Sequence, residues 1–121
     1  MTSGNWIFWR EYPQVEPKIS AAIQRARDLE PQGSVVLTTQ GLGVLFDAVK
    51  NRGVQPEWLL MHGVTFAPIR KFGRDILDIP PDSPPGHAEL WGATILTDPE
   101  IPKGDLIVVG HDGEVERFLV K

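Results

Sequence analysis

The chain has 121 residues, 41% hydrophobic and 23% charged, which suits one globular domain and excludes a disordered or fibrous chain. With no cysteine, disulfide frameworks, cysteine zinc sites and thiol chemistry are excluded, in keeping with a reducing compartment. A formal net charge of −4 disfavours broad nucleic-acid binding, which needs a basic face.

The opening Met-Thr-Ser-Gly-Asn has neither the basic region nor the apolar stretch of a secretory signal, and no apolar run is long enough to span a bilayer. The expectation is a chain that meets no membrane. Residues 1–17 hold four of the ten aromatic residues, Trp6, Phe8, Trp9 and Tyr12, together with Pro13 and Pro17. Two prolines preclude a continuous helix, so an extended arm or edge strand is expected before a single domain over residues 18–121. The arm aromatics either fold back onto the domain's own core or dock on another subunit, where Trp and Tyr give large contact area at low entropy cost.

Pro17 suits a first helical turn, and Ile19, Ala22, Ile23, Ala26 and Leu29 follow with the period of one buried helix face, stopped by Pro31 and Gly33. Residues 34–38 read as a short buried strand. A second helix carries Leu42, Leu45, Phe46 and Val49 on one face, with Thr39 as its expected N-cap and Gly53 just past its end. Residues 57–62 form a further apolar strand. A short third helix is expected over residues 66–72, capped by Thr65, with Pro68 in its first turn. Four prolines within residues 79–86 make a loop. Strands follow at 90–97, 106–109 and 115–120, the last two joined at Asp112 and Gly113 with His111 completing the turn. The order predicts an α/β (α+β) fold, a mixed sheet with two to three helices packed on it and a C-terminal β-hairpin.

Catalytic patterns are weak. His62, His87 and His111 stand far apart with no spacing that places two ring nitrogens on one metal. The Thr-Gln-Gly-Leu-Gly run after the first strand resembles the start of a dinucleotide site. Its third glycine position is Phe46, however, so Gly41 and Gly43 read better as a tight turn into the helix and close helix packing. Asp75 with Asp78, and Asp98 with Glu100, read as solvated pairs. No serine lies in a Gly-x-Ser-x-Gly elbow. No enzyme activity, metal or cofactor is expected. Arg70, Lys71 and Arg74 form a small basic cluster, which either complements a helix C-terminus or forms a patch for a neighbouring subunit's carboxylates.

Residues 57–79, from Glu-Trp-Leu-Leu-Met-His through Ile-Arg-Lys-Phe-Gly-Arg-Asp, and residues 90–110, with Trp-Gly-Ala-Thr-Ile and Ile-Pro-Lys-Gly-Asp, carry a resemblance. They resemble consecutive segments of tailed-phage major capsid proteins of the HK97-like fold: a strand leading into a short helix, then a strand, a proline turn and an apolar strand of the axial domain. The match covers roughly half the chain, and the helix after Gly41 resembles the end of the spine helix. Complete subunits of that fold are usually at least twice as long, so the resemblance implies a reduced relative, a minor virion component or a host-encoded derivative. It implies a structural role by protein–protein contacts, as a homo-oligomer or within a larger virion assembly, located in the virion or host cytoplasm. The interface residues expected on this reading are Trp6, Phe8, Trp9, Tyr12, Arg70, Lys71 and Arg74. A small adaptor or regulatory module reusing the fold is the alternative, ahead of a nucleotide-binding enzyme.

Overall fold

A computed structural model describes residues 9–73, 75–78 and 88–121. Trp6, Phe8, Arg74, His87 and the proline-rich stretch 79–86 lie outside the described residues. Three α-helices, α1 (Glu16–Arg27), α2 (Thr39–Asn51) and α3 (Gly63–Arg70), accompany the strands β1 (Ser34–Val35), β2 (Pro56–Met61), β3 (Leu77–Asp78), β4 (Ala88–Leu90), β5 (Ala93–Thr97), β6 (Asp105–Gly110) and β7 (Val115–Val120). The strands form one mixed sheet in the order β1-β7-β6-β2-β5-β4-β3. β2 runs parallel to β5 and β1 parallel to β7, while the other neighbours are antiparallel. The expected mixed sheet with packed helices is the observed fold.

The reason for the layering lies in β2 and β6. Their sequences, Pro-Glu-Trp-Leu-Leu-Met and Asp-Leu-Ile-Val-Val-Gly, are apolar at consecutive positions, the mark of strands covered on both faces. Leu59, Met61, Leu106 and Val108 pack with Leu42, Leu45, Phe46 and Val49 of α2 and with Phe66 and Ile69 of α3. Trp58, Leu60, Ile107 and Val109 pack on the other side with Ile19, Ala22, Ile23 and Ala26 of α1. The sheet is thus the middle layer between α1 and the α2–α3 pair.

Local departures from the sequence expectation have identifiable causes. β1 spans two residues because the chain turns at Val36, whose carbonyl accepts from Thr38 N. The N-cap of α2 is Thr38, not Thr39: Thr38 is extended and its hydroxyl accepts from Gly41 N at 2.9 Å. The cap of α3 is His62, whose Nδ1 accepts from Val64 N at 3.0 Å, so the helix starts three residues early. Thr65 lies inside it, buried, and donates to the Lys103 carbonyl. Pro68 therefore falls beyond the first turn, and α3 ends two residues later at Arg70. The strand expected over 90–97 is broken at Trp91 and Gly92, whose φ angles of 49° and 90° make a two-residue type I′ turn between β4 and β5. Gly92 serves that turn and not a bulge. The His111–Gly113 turn follows expectation, with Gly113 at φ 89° and its N–H on the Gly110 carbonyl.

Gly41 is fixed by contact. A Cβ there would stand 2.1 Å from the Val36 carbonyl oxygen, whereas one on Gly43 would meet only Trp91 Cη2, at 4.0 Å. Gly41→Ala is expected to destabilise the fold by about 1–3 kcal/mol through overpacking. Gly43→Ala is expected to stabilise it by about 0.5–1 kcal/mol through helix propensity. Urea unfolding of the two variants checks the contrast.

Candidate interaction surface

From Trp9 onward the segment expected as an extended arm or edge strand is neither. Trp9–Glu11 form a 3-10 turn, and the Tyr12 carbonyl accepts from Val15 N and Glu16 N, leading directly into α1. Trp9 is 2% exposed among Ile19, Ile23 and Leu96, and its Nε1 donates to the Thr97 carbonyl at 3.1 Å. Its place is the domain's own core, which is the first of the two alternatives for the aromatic segment and removes Trp9 from the expected interface residues. Tyr12 is half-buried against the same cluster.

Arg10 completes this attachment. Its guanidinium lies 4.5 Å from the Trp9 ring centroid and bridges Asp98 at 2.8 Å and Glu100 at 2.9 Å. The Asp98 side chain is 3% exposed, and its second oxygen accepts from Glu100 N. Arg27 from α1 reaches the same Glu100 at 3.4 Å. Asp98 and Glu100, read as a solvated pair, are thus the socket for the N-terminal segment. A second bidentate pair, Arg117 with Asp105 at 3.1 and 3.2 Å, also holds the Leu29 carbonyl beyond α1. Neither cluster shows a sequence motif, because their partners lie far apart along the chain.

Arg70 closes the last turn of α3 and Lys71 is its C-cap, both exposed, where cations complement the helix dipole. No grouping of three or more His, Asp or Glu residues able to hold a metal ion occurs among the described residues. The nucleotide-like glycine run offers little to a phosphate: Thr38 takes the Gly41 N–H, and the chain's own backbone fills the space beside Gly41.

The surface that stands out was not among the expected interface residues. Trp91 is 42% exposed at the tip of the β4–β5 turn, in a left-handed conformation that bulky side chains rarely adopt. Its ring meets Phe46 of α2 edge-on, at 5.2 Å between centroids and 87° between planes, and reaches Gly43. Val44, the next residue of α2, is 70% exposed. The sequence signal is Trp91-Gly92, a φ-permissive residue after an aromatic, which the strand preference of tryptophan masks.

Comparison with known proteins gives no match: no family model, no curated protein and no solved structure matches the chain.

Trp9→Ala is expected to cost about 3–5 kcal/mol, as large-to-small core changes do. Arg10→Ala is expected to cost about 1–2 kcal/mol, less than breaking a fully buried pair, because Arg10 is half-exposed. Thermal and urea unfolding measure both.

Proposed function

We propose that the chain is a virion structural or capsid-like assembly protein that acts through protein–protein contacts, in the virion or the host cytoplasm. Three features support this reading. β2 leads through His62 into the short helix α3, and β5, the Pro102 turn and β6 follow as strands of the same sheet. These are the element types expected for the segments that resemble HK97-like capsid proteins. The third feature carries the functional part: an indole held at the surface against its backbone preference. A left-handed non-glycine residue costs about 1–2 kcal/mol, and partial exposure forgoes part of what burying a Trp contributes. Such local strain is characteristic of functional positions, and Trp is the residue type most enriched at interface hot spots. Trp91 offers an apolar contact on the α2 side of the sheet, the helix on which Val44 is also exposed.

Trp91→Asn separates association from folding. Asparagine tolerates φ > 0 and precedes Gly92 in the pairing that type I′ turns favour, so the turn is retained while the ring is lost. The wild-type chain is expected to associate with rising concentration in sedimentation velocity, while the variant remains monomeric with an unfolding free energy within about 1.5 kcal/mol of wild type. A wild-type chain that stays monomeric at every concentration, or a variant that associates equally, overturns the proposal.

A further inference from the structure

Trp91 leaves a bonding capacity unused as well as a surface. Its indole is 42% exposed, and its Nε1–H, a donor only, makes no hydrogen bond with another described residue. Phe46 braces the ring edge-on from α2. A fitting partner therefore brings an apolar group for the ring and a carbonyl oxygen for the N–H. An ordinary stretch of chain brings as many N–H donors as carbonyls, and an indole offers those donors no acceptor. A proline-rich stretch brings carbonyls and apolar rings without the donors.

The chain carries such a stretch. Residues 79–86 read Ile-Pro-Pro-Asp-Ser-Pro-Pro-Gly, so four of these eight residues have no N–H and a fixed φ. At the three-residue repeat of polyproline II, Pro81 and Pro84 fall on one edge. Docking that edge on an aromatic side chain costs little ordering entropy, which is how aromatic-lined grooves take proline-rich ligands. The described residues on either side fix where the stretch begins and ends. Leu77 pairs with Leu90 and Asp78 with Glu89, so Asp78 and Ala88 stand together at one end of the β3–β4 pair. Trp91 follows Leu90 at the other end, about 10 Å from Ala88 at the rise of a strand. Prolines and indole thus mark opposite ends of the same strand pair, and a contact between copies runs head to tail.

We propose that Trp91 of one copy receives the proline-rich stretch of a second copy, the indole packing on Pro81 and Pro84 and Nε1–H donating to a proline carbonyl. This rests on the assembly reading of Trp91 and names its occupant. The Trp91 indole signal in nitrogen–proton NMR is identified by its loss in Trp91→Asn. A peptide of residues 79–86, blocked at both ends, is expected to move that signal saturably at high micromolar to millimolar concentration. The same peptide with Pro81→Ala and Pro84→Ala is expected to bind roughly tenfold more weakly or less. In the full chain this double substitution is expected to abolish association in sedimentation velocity while leaving thermal unfolding as in wild type. Mixed with Trp91→Asn, which keeps the prolines, it supplies the indole, so two chains that are each monomeric are expected to pair. A peptide that leaves the indole signal unmoved, an alanine peptide that binds as well, or a mixture that stays monomeric overturns the proposal. So does a Trp91 signal that the double substitution shifts at dilutions where wild type is monomeric, since the chain's own prolines then cover the ring. Association lost in Trp91→Asn but kept in the double variant sinks this proposal and leaves the assembly reading standing. A wild-type chain that is monomeric at every concentration sinks both.

Discussion

Everything in this fold rests on a sheet that is buried on both faces. In a strand covered on one side, alternation of polar and apolar residues fixes register, because a slip by one residue turns the apolar set toward water. β2 lacks that protection: Trp58 and Leu60 face α1, Leu59 and Met61 face α2, and all four are apolar. A slip would exchange one greasy face for another. Register must then come from shape and from polar fastenings at the strand ends. The structure supplies these at the edge where β2 and β5 finish. Asp98 N bonds the Met61 carbonyl, Thr65 bonds Lys103, Trp9 bonds Thr97, and Asp105 grips Arg117. Each ties together segments that the apolar pattern alone would let slide.

The same constraint shapes the surface. With α1 covering one face and α2 and α3 the other, most of the large apolar side chains among the described residues are enclosed, and the exposed ones among them are few enough to be individually informative. Trp91 differs from the exposed valines because its backbone conformation is unfavourable and its ring is braced by Phe46. The α1 side shows the opposite condition, where the small residues Ala21 and Ala22 of α1 and Gly110 and Gly113 of the β6–β7 turn leave space. One layer has apolar surface left over and the other has room left over.

How much of this was legible in the sequence follows from the range of each interaction. The helices α1 and α2 were readable because Ile19 to Ala26 and Leu42 to Val49 repeat with helical period, a local signal. β7 was readable to its ends between the Gly113 turn and Lys121. The N-caps were misplaced by one residue at Thr38 and by three at His62, since side chain–backbone bonds leave little trace in composition. The β4–β5 turn escapes the sequence pattern because tryptophan is a strand former, and its left-handed conformation is what a two-residue turn between Leu90 and Ala93 requires. The sockets of Arg10 and Arg117 were invisible for a further reason: Arg10 meets Asp98 across 88 residues, and Arg117 meets the Leu29 carbonyl across as many. The expected arm residue Trp9 became core on the same account, because its acceptor is on β5.

Those long-range attachments have a consequence during synthesis. The apolar stripe of α1 precedes every strand it covers: Trp58 and Leu60 come from β2, and Leu96, Ile107, Val109 and Val115 come later still, from β5, β6 and β7. β1, likewise, pairs only with β7. Until β7 is made, β1 has no strand to pair with, and α1 can cover only Trp58 and Leu60 of β2 and what β5 and β6 add, so its apolar stripe stays incompletely buried. Folding of this domain therefore waits on β7, the strand that pairs with β1 and lies against α1.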